Sequence, residues 1–145
     1  MDTQQKDLSY FRLRLQELLN TSFPEKAHDE KFINQRLSWA ANAYEGAFSS
    51  GNLVEQCNEI ADYILFEGLH FSKFDTIFQI VCNEFDTRMA DEELRPFALK
   101  MFPVCEPIFA NYELTDDFAY GYEFDELYTE LTGTIAIWIE ENGLQ

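Results

Sequence analysis

The chain has 145 residues, of which 46% are hydrophobic and 16% are aromatic. This composition is too apolar for a disordered chain and the length is too short for two large domains, so we predict one globular domain over residues 1–145. The formal net charge of −17 disfavours direct binding to nucleic acid or to an anionic membrane, because both need Lys and Arg at the contact.

The acidic residues are concentrated in the second half of the chain. Residues 1–73 carry 7 basic and 11 acidic side chains, whereas residues 74–145 carry 3 and 16. Beyond Lys100 there is no Lys or Arg, while ten acidic residues remain. We expect these carboxylates to lie together on the outside of the protein, where they would favour a basic partner.

The start of the sequence lacks the basic flank and apolar stretch of a signal peptide, and no apolar run is long enough to cross a bilayer. The three cysteines, Cys57, Cys82 and Cys105, are widely spaced and form no C-x-x-C pair. We therefore expect a cytoplasmic protein with no membrane contact, whose cysteines are buried small hydrophobes rather than disulfide partners.

Apolar residues recur at helical spacing in six segments of the chain. These segments span residues 8–19, 33–48, 53–65, 74–85, 94–102 and 124–138. Asn52, with Glu55 three residues later, is predicted to cap the third helix, and Ser72 is predicted to cap the fourth in the same way. Asp91 is predicted to cap the fifth helix.

Two segments need a closer look: the end of the fifth helix, which contains prolines, and the last apolar segment, in which isoleucines alternate with other residues. Pro103 and Pro107 are predicted to end the fifth helix and to leave a short separate helix over residues 104–112, followed by a loop over residues 114–122. Ile135, Ile137 and Ile139 alternate as in a strand. No other segment offers a pairing strand, so we predict that the last segment is a helix closed by residues 142–143.

The pattern predicts an all-α fold, a compact bundle of six or seven helices with orthogonal rather than parallel packing. Residues 68–72 form the weakest seam, and a division there would give two small sub-bundles.

Two stretches of the sequence resemble a known family. Residues 49–85, which contain SSGNLVEQCNEIADYILFEGLHFSKFD, and residues 128–143, YTELTGTIAIWIEENG, are similar to a family of short acidic bacterial proteins of unknown function. The resemblance covers nearly the whole chain. It implies an all-helical fold and an association with mobile elements of anaerobic gut and oral bacteria, and it implies no activity or site residues.

Two Glu-x-x-His pairs are weak candidates for metal ligands: Glu25 with His28, and Glu67 with His70. Residues three apart share a helix face, so a carboxylate and an imidazole at this spacing can converge on one ion in a bundle. The first pair follows a proline and the second straddles a helix-ending glycine, so we favour capping or surface roles and predict no cofactor.

Nucleophilic and phosphate chemistry have little support in the sequence. Cys57 and Cys82 lie on apolar stripes, so packing is favoured over a Cys-His pair with His70, and we identify no catalytic residues. The chain also lacks the glycine-rich signatures of nucleotide-binding loops.

Residues 114–126 interleave acidic and aromatic side chains and are the best candidate for a partner-binding segment. Aromatic rings supply contact area, and carboxylates steer a basic partner. The alternative is that the rings attach this loop to the bundle while the acids are solvated. The candidate residues are Asp116, Asp117, Phe118, Tyr120, Tyr122, Glu123, Asp125 and Glu126.

The sequence thus favours a non-enzymatic interaction or accessory protein that presents a negative face to a basic protein surface, and one form of this would be a DNA mimic. The first alternative is a helical enzyme with a carboxylate and histidine metal site. The second is a self-associating structural protein, and the choice between monomer and homodimer stays open.

Overall fold

The computed structural model describes the backbone of residues 2–144 and the side chains of residues 8–144. In these residues it contains six α-helices, two short 3₁₀ helices and no strand, which confirms the predicted all-α class. The α-helices are α1 (Asp2–Ser22), α2 (Glu30–Ser49), α3 (Val54–Leu65), α4 (Lys73–Glu84), α5 (Asp91–Phe109) and α6 (Glu123–Asn142), and the 3₁₀ helices are Asp86–Arg88 and Phe118–Tyr120.

The helices form two compact units, each with its own hydrophobic core. The N-terminal unit contains α1, α2 and α3 and ends at His70, and the C-terminal unit begins at Phe71 and contains α4, α5 and α6. This boundary lies within residues 68–72.

The N-terminal unit is built from apolar residues one helical turn apart and from an arginine that joins two helices. From α2, Arg36 donates from Nη1 to the carbonyl oxygens of Leu65 at 3.2 Å and Glu67 at 2.6 Å. Carbonyls at the end of a helix have no partner within it, so Arg36 caps α3 from its neighbour. The buried core residues include Phe11, Leu15, Leu19, Ile33, Leu37, Ala40, Ala61 and Leu65.

In the C-terminal unit, α4, α5 and α6 all pack against one another around a core rich in phenylalanine. At one edge of this core, Phe118 lies edge-on to Phe71, with ring centroids 5.2 Å apart. The fully buried large side chains include Phe74, Phe109, Ile77, Ile80, Met101, Leu127 and Leu131.

The helix starts agree with the sequence prediction at Ser72 and differ at Asn52 and Asp91. The Ser72 hydroxyl accepts a hydrogen bond from the backbone N–H of Asp75 at 2.9 Å, as predicted. Asn52 instead donates from Nδ2 to the Ala47 carbonyl at 2.9 Å, so it closes α2 and does not open α3. The prediction for Asn52 was wrong because an amide can satisfy donors at a helix start or carbonyls at a helix end.

At both corrected starts, the side chain that reaches back comes from within the helix. The Gln56 side chain accepts the backbone N–H of Leu53 at 3.0 Å, before the first residue of α3. The Glu93 side chain accepts the backbone N–H of Ala90 at 3.1 Å, so Asp91 is the first helical residue of α5 and not its cap.

The predicted break at Pro103 and Pro107 does not occur, because α5 continues through both prolines to Phe109. Pro96, Pro103 and Pro107 all lie on the exposed side of the helix, where water can bind the carbonyls that lose a helical donor. Each interior proline costs about 3 kcal/mol. Burial of a large apolar side chain contributes about 1.5–3 kcal/mol, and the opposite face of α5 buries several. These buried residues are Leu94, Phe97, Ala98, Met101, Phe102, Cys105 and Phe109.

The last apolar segment is helical, as predicted. Within α6, Ile135 and Ile139 are buried and Ile137 is exposed, which is the period of a helix with one buried side. Within residues 2–144, no helix combines the length and the apolar character needed to cross a membrane.

Candidate functional site

The acidic residues at the start of α6 share one exposed side of the helix. Glu123, Glu126 and Glu130 are spaced three and four residues apart, and all three are exposed. Glu123 and Glu126 also lie in the first turn of α6, where the partial positive charge of the helix end stabilises carboxylates. The helix therefore tolerates like charges that would otherwise repel one another.

Tyr112, in the segment after α5, lies against these carboxylates. Its hydroxyl donates a short hydrogen bond to Oε1 of Glu130. This hydrogen bond, with desolvation and the charges of Glu130, Glu126 and Glu123, raises the pKa of Tyr112 to about 12. All the charges that act on this hydroxyl are carboxylates, so the local potential is negative.

An open depression of about 550 Å³ lies beside the Tyr112 ring, and Asp125, Glu126, Thr129 and Glu130 form the rest of its lining. We name the surface formed by Tyr112, Glu123, Asp125, Glu126 and Glu130 the acidic face. Its chemistry suits a cationic group with some apolar character, because it combines carboxylate acceptors with an aromatic ring.

Phe118 belongs to the core and not to the surface predicted for partner binding. It is buried, and its ring lies 5.8 Å from that of Tyr112 and 6.4 Å from that of Phe124, centroid to centroid. Its buried ring holds the 3₁₀ helix Phe118–Tyr120 against the core. This short helix lies within the segment that was predicted to be a loop. For Phe118, the alternative given by the sequence is therefore the correct one.

The other predicted residues of this segment are exposed. Tyr120 is 90% exposed and Tyr122 is 80% exposed, so their rings make little contact with the core. Asp116 and Asp117 are exposed as well. The two tyrosines stand next to the start of α6 in the sequence and extend the aromatic content of the surface near the acidic face.

The ten acidic residues beyond Lys100 are mostly exposed but do not form one cluster. Glu106 is half-buried and binds Nζ of Lys73 at 3.2 Å, whereas the other nine are exposed. Glu140 and Glu141 lie at the far end of α6, about 20 Å from Glu126 along the helix axis. The prediction that these carboxylates lie together is correct for the start of α6 and wrong for its end.

Three of the four basic residues of the C-terminal unit lie over aromatic rings. The Arg95 guanidinium is 4.6 Å from the centroid of Phe74, and Nζ of Lys100 is 5.7 Å from that of Trp138. Lys73, besides binding Glu106, lies 5.9 Å from the Phe109 centroid. These contacts direct the positive charges toward α4, α5 and the second half of α6.

The structure places the weak metal candidates in connections between helices. Glu25 and His28 are exposed in the turns between α1 and α2, and Glu67 and His70 are exposed on either side of Gly68, which has a φ of +80°. Among the described residues, no three His, Cys, Asp or Glu side chains come close enough to hold a metal ion together.

The cysteines lie in apolar surroundings. Cys57 and Cys105 are buried and Cys82 is half-buried. Burial raises the pKa of the Cys105 thiol to about 12. Desolvation, with the charges of Asp86 and Asp91, also raises the pKa of Cys82. Both thiols are therefore protonated at neutral pH, which is the opposite of what a nucleophilic cysteine requires.

The sequence analysis missed the two residues at the centre of the acidic face. Glu130 could have been found, because it continues the helical spacing of Glu123 and Glu126. Tyr112 could not, because it is 18 residues from Glu130 and only the packing of the segment after α5 against α6 brings the two together.

Comparison with known proteins gives a family and a fold. The family described as "Domain of unknown function (DUF1896)" matches residues 3–144. The chain is 40% identical to protein PG0816 from Porphyromonas gingivalis, and the crystal structure of that protein matches with a TM-score of 0.89 over 100% of this chain and 99% of the other. No curated protein shows significant similarity to the chain.

Proposed function

We propose that this chain, which belongs to the DUF1896 family, is a non-enzymatic interaction protein whose acidic face binds a basic surface of another protein. The observation that supports this most is the arrangement of Glu123, Glu126 and Glu130 around the Tyr112 hydroxyl. All four residues come from the part of the chain that has no Lys or Arg.

Charge complementarity of this kind acts on encounter and on specificity. A negative face attracts a basic partner over roughly a Debye length, about 10 Å at 0.1 M salt, and rejects acidic surfaces. Tyr112 adds an aromatic ring at the centre, and the exposed Tyr120 and Tyr122 add aromatic area nearby. Tyrosine is a residue type that protein interfaces favour.

DNA mimicry is the special case in which the basic partner is a DNA-binding protein and the carboxylates stand in for phosphates. The acidic face supports it only by its charge. A salt-sensitive competition between this protein and DNA for one DNA-binding protein would identify this case. Binding that DNA does not displace would identify a basic partner of another kind.

A cytoplasmic location agrees with the cysteines, which are free, and two of which are buried. Within this proposal, the protein acts in a reducing compartment of a bacterial cell. The association with mobile elements that the family resemblance implies would place the partner among proteins that handle such elements.

The experiment uses an oligoarginine peptide as a model basic partner and measures its affinity for the whole chain by fluorescence anisotropy. The test variant replaces Glu123, Glu126 and Glu130 by Gln, and the matched control replaces Glu17, Glu25 and Glu45, which are exposed acids of the N-terminal unit. Both variants lose the same formal charge.

We expect the test variant to bind about tenfold more weakly at low salt, because three surface charge pairs contribute about 0.5 kcal/mol each. The control should bind within about twofold of the wild type, and the difference should vanish near 0.5 M salt, where the Debye length is only about 4 Å. Equal losses in the two variants would mean that net charge and not the acidic face determines binding, and would refute the proposal.

A further inference from the structure

The N-terminal unit exposes large apolar side chains along one side of α3. Leu53, just before the helix, is 68% exposed, Tyr63 is 70% exposed, and Ile60 between them is also exposed. These residues are seven and three positions apart, so they follow one line along the helix. The core-facing side of α3 is a different line, formed by Cys57, Ala61 and Leu65.

Trp39 of α2 lies at a similar level along the pair of helices. Arg36 fixes the pairing of α2 and α3 at one end through the Leu65 carbonyl, and Asn52 fixes it at the other end through the Ala47 carbonyl. Between these points the helices run in opposite directions, so Trp39, one turn after Arg36, lies near the level of Tyr63. Trp39 is exposed as well. We name the surface of Leu53, Ile60 and Tyr63 the apolar edge.

The spacing of the apolar edge is that of a helix-packing seam. Leu53, Gln56, Ile60 and Tyr63 alternate at three, four and three residues, which is the spacing of the contact positions in a coiled coil. Exposed apolar side chains at such intervals are the anchors by which one helix binds another. The apolar edge is therefore suited to binding a helix and not an extended peptide.

The acidic residues beside the apolar edge determine which kind of helix can bind there, a basic or an acidic one. Glu55 and Glu59 are exposed on α3, and α3 contains no Lys or Arg. In a second copy of this chain, the same seam would bring the same carboxylates toward one another, and the net charge of −17 adds to the repulsion. A helix flanked by Lys or Arg would instead pair with Glu55 and Glu59.

We propose that the apolar edge binds an amphipathic helix of another protein, with an apolar stripe flanked by Lys and Arg. This site is made of other residues than the acidic face. Its affinity depends on apolar contact at Ile60 and Tyr63, and the neighbouring carboxylates favour a basic helix over an acidic one. The chain would then carry one interaction surface in each unit.

The test uses a synthetic helical peptide of about 15 residues with Leu at the seam positions and Lys elsewhere, and measures its affinity for the whole chain by calorimetry. Ile60→Ser with Tyr63→Ser changes no charge and alters only exposed positions, and Tyr63→Ser alone serves if the double variant loses helicity. The matched control is Leu13→Ser with Ile137→Ser, which removes exposed apolar side chains elsewhere.

We expect the Ile60 and Tyr63 variant to bind at least about tenfold more weakly and the control to bind like the wild type. Glu55→Gln with Glu59→Gln should also weaken binding, and a peptide with Glu in place of Lys should bind at least about tenfold more weakly than the Lys peptide. The Gln variant of the acidic face should retain affinity for the Lys peptide better than the Ile60 and Tyr63 variant does, so failure of one proposal can be told from failure of the other.

Two results would overturn the proposal. The first is equal affinity of the wild type and the Ile60 and Tyr63 variant for the Lys peptide. The second is a wild-type dimer in analytical ultracentrifugation that the Ile60 and Tyr63 substitutions dissociate, because the occupant of the edge would then be a second copy of this chain.

Discussion

The two units of the molecule differ in net charge and in the chemistry of the surface that each one exposes. Residues 1–70 carry 6 basic and 11 acidic side chains, whereas residues 71–145 carry 4 and 16. The N-terminal unit exposes the apolar edge, and the C-terminal unit exposes the acidic face. One chain of three-helix units can therefore offer two surfaces of different chemistry, because each unit has a core of its own.

The units also differ in what joins their helices. In the N-terminal unit, arginines span between helices: Arg14 of α1 binds Asp62 of α3 with both terminal nitrogens, and Arg36 of α2 caps α3. In the C-terminal unit, Phe97 of α5 and Trp138 of α6 meet edge to face, and one ion pair joins α4 to α5. Polar contacts between helices can therefore be tested in the N-terminal unit, and aromatic packing can be tested in the C-terminal unit.

The largest effect is expected in the aromatic core. Phe74 is fully buried, stacks on Phe78 with centroids 5.9 Å apart, and carries the Arg95 guanidinium over its ring. Phe74→Ala should lower the free energy of unfolding by about 3–5 kcal/mol, because it leaves a cavity. Trp138 fluorescence in a Trp39→Phe background reports on this unit during urea unfolding.

The control for this core substitution is Leu99→Ala, at an exposed position in the same unit. It should cost less than about 1 kcal/mol. Equal costs at the two positions would contradict the described core.

The next effect tests the polar contacts of the N-terminal unit. Arg36→Met should lower the free energy of unfolding by about 1.5–3 kcal/mol, because it removes charged hydrogen bonds to the end of α3 and leaves carbonyls without a donor. Trp39 fluorescence in a Trp138→Phe background measures this loss during urea unfolding.

Arg12→Met provides the matched control for Arg36. Arg12 pairs with Glu30 at 3.1 Å on the surface, and such pairs contribute about 0–1 kcal/mol. A cost at Arg12 as large as that at Arg36 would show that charge alone, and not capping of α3, stabilises this unit.

Removal of a helix cap should have a smaller effect on the free energy of unfolding, and the effect should be similar in the two units. Ser72→Ala and Asp29→Ala each remove a side-chain acceptor for a backbone N–H at a helix start, of α4 and of α2. Each should cost about 1 kcal/mol in urea unfolding. A loss several times larger at Ser72 than at Asp29 would mean that the hydroxyl does more than cap its helix.

The smallest effect on the fold concerns the Tyr112 hydroxyl, whose pKa is raised to about 12. The folded state holds this proton more tightly than the unfolded state. The contribution of the Tyr112 hydroxyl to the free energy of unfolding is therefore fully present below about pH 10 and is lost as pH rises through about 12. Glu130→Gln removes the main cause and should lower the pKa of Tyr112 toward about 10.

Absorbance of tyrosinate at 295 nm, taken as the difference between each protein and its Tyr112→Phe variant, measures that pKa. The Asp117→Asn variant is the control, because Asp117 is exposed and is not among the groups that act on Tyr112. An unchanged pKa in the Glu130→Gln variant would contradict the hydrogen bond.

Local patterns predicted the helices well and the ends and contacts less well. The stripe of α4 and its Ser72 cap were correct, because apolar spacing and the cap lie within a few residues of each other. The break at Pro103 was wrong because the rule for proline weighs the backbone alone, whereas the buried side of α5 offsets its cost.

The acidic face could be predicted only in part, because local patterns reveal neighbours in the sequence and not contacts between distant residues. Glu123, Asp125 and Glu126 were found because they are neighbours in sequence at a helix start. Phe118 was included although its ring is buried, and Tyr112 was missed, because alternation of acidic and aromatic residues does not reveal which rings pack inward.

The most direct test of the acidic face is to map where a basic probe binds. Titration of the isotope-labelled chain with the oligoarginine peptide, followed by amide NMR, should shift the signals of Tyr112 and of residues 123–130 most strongly. The N-terminal unit should show only small changes. Shifts of similar size in both units, or the largest shifts in the N-terminal unit, would contradict the acidic face as the binding surface.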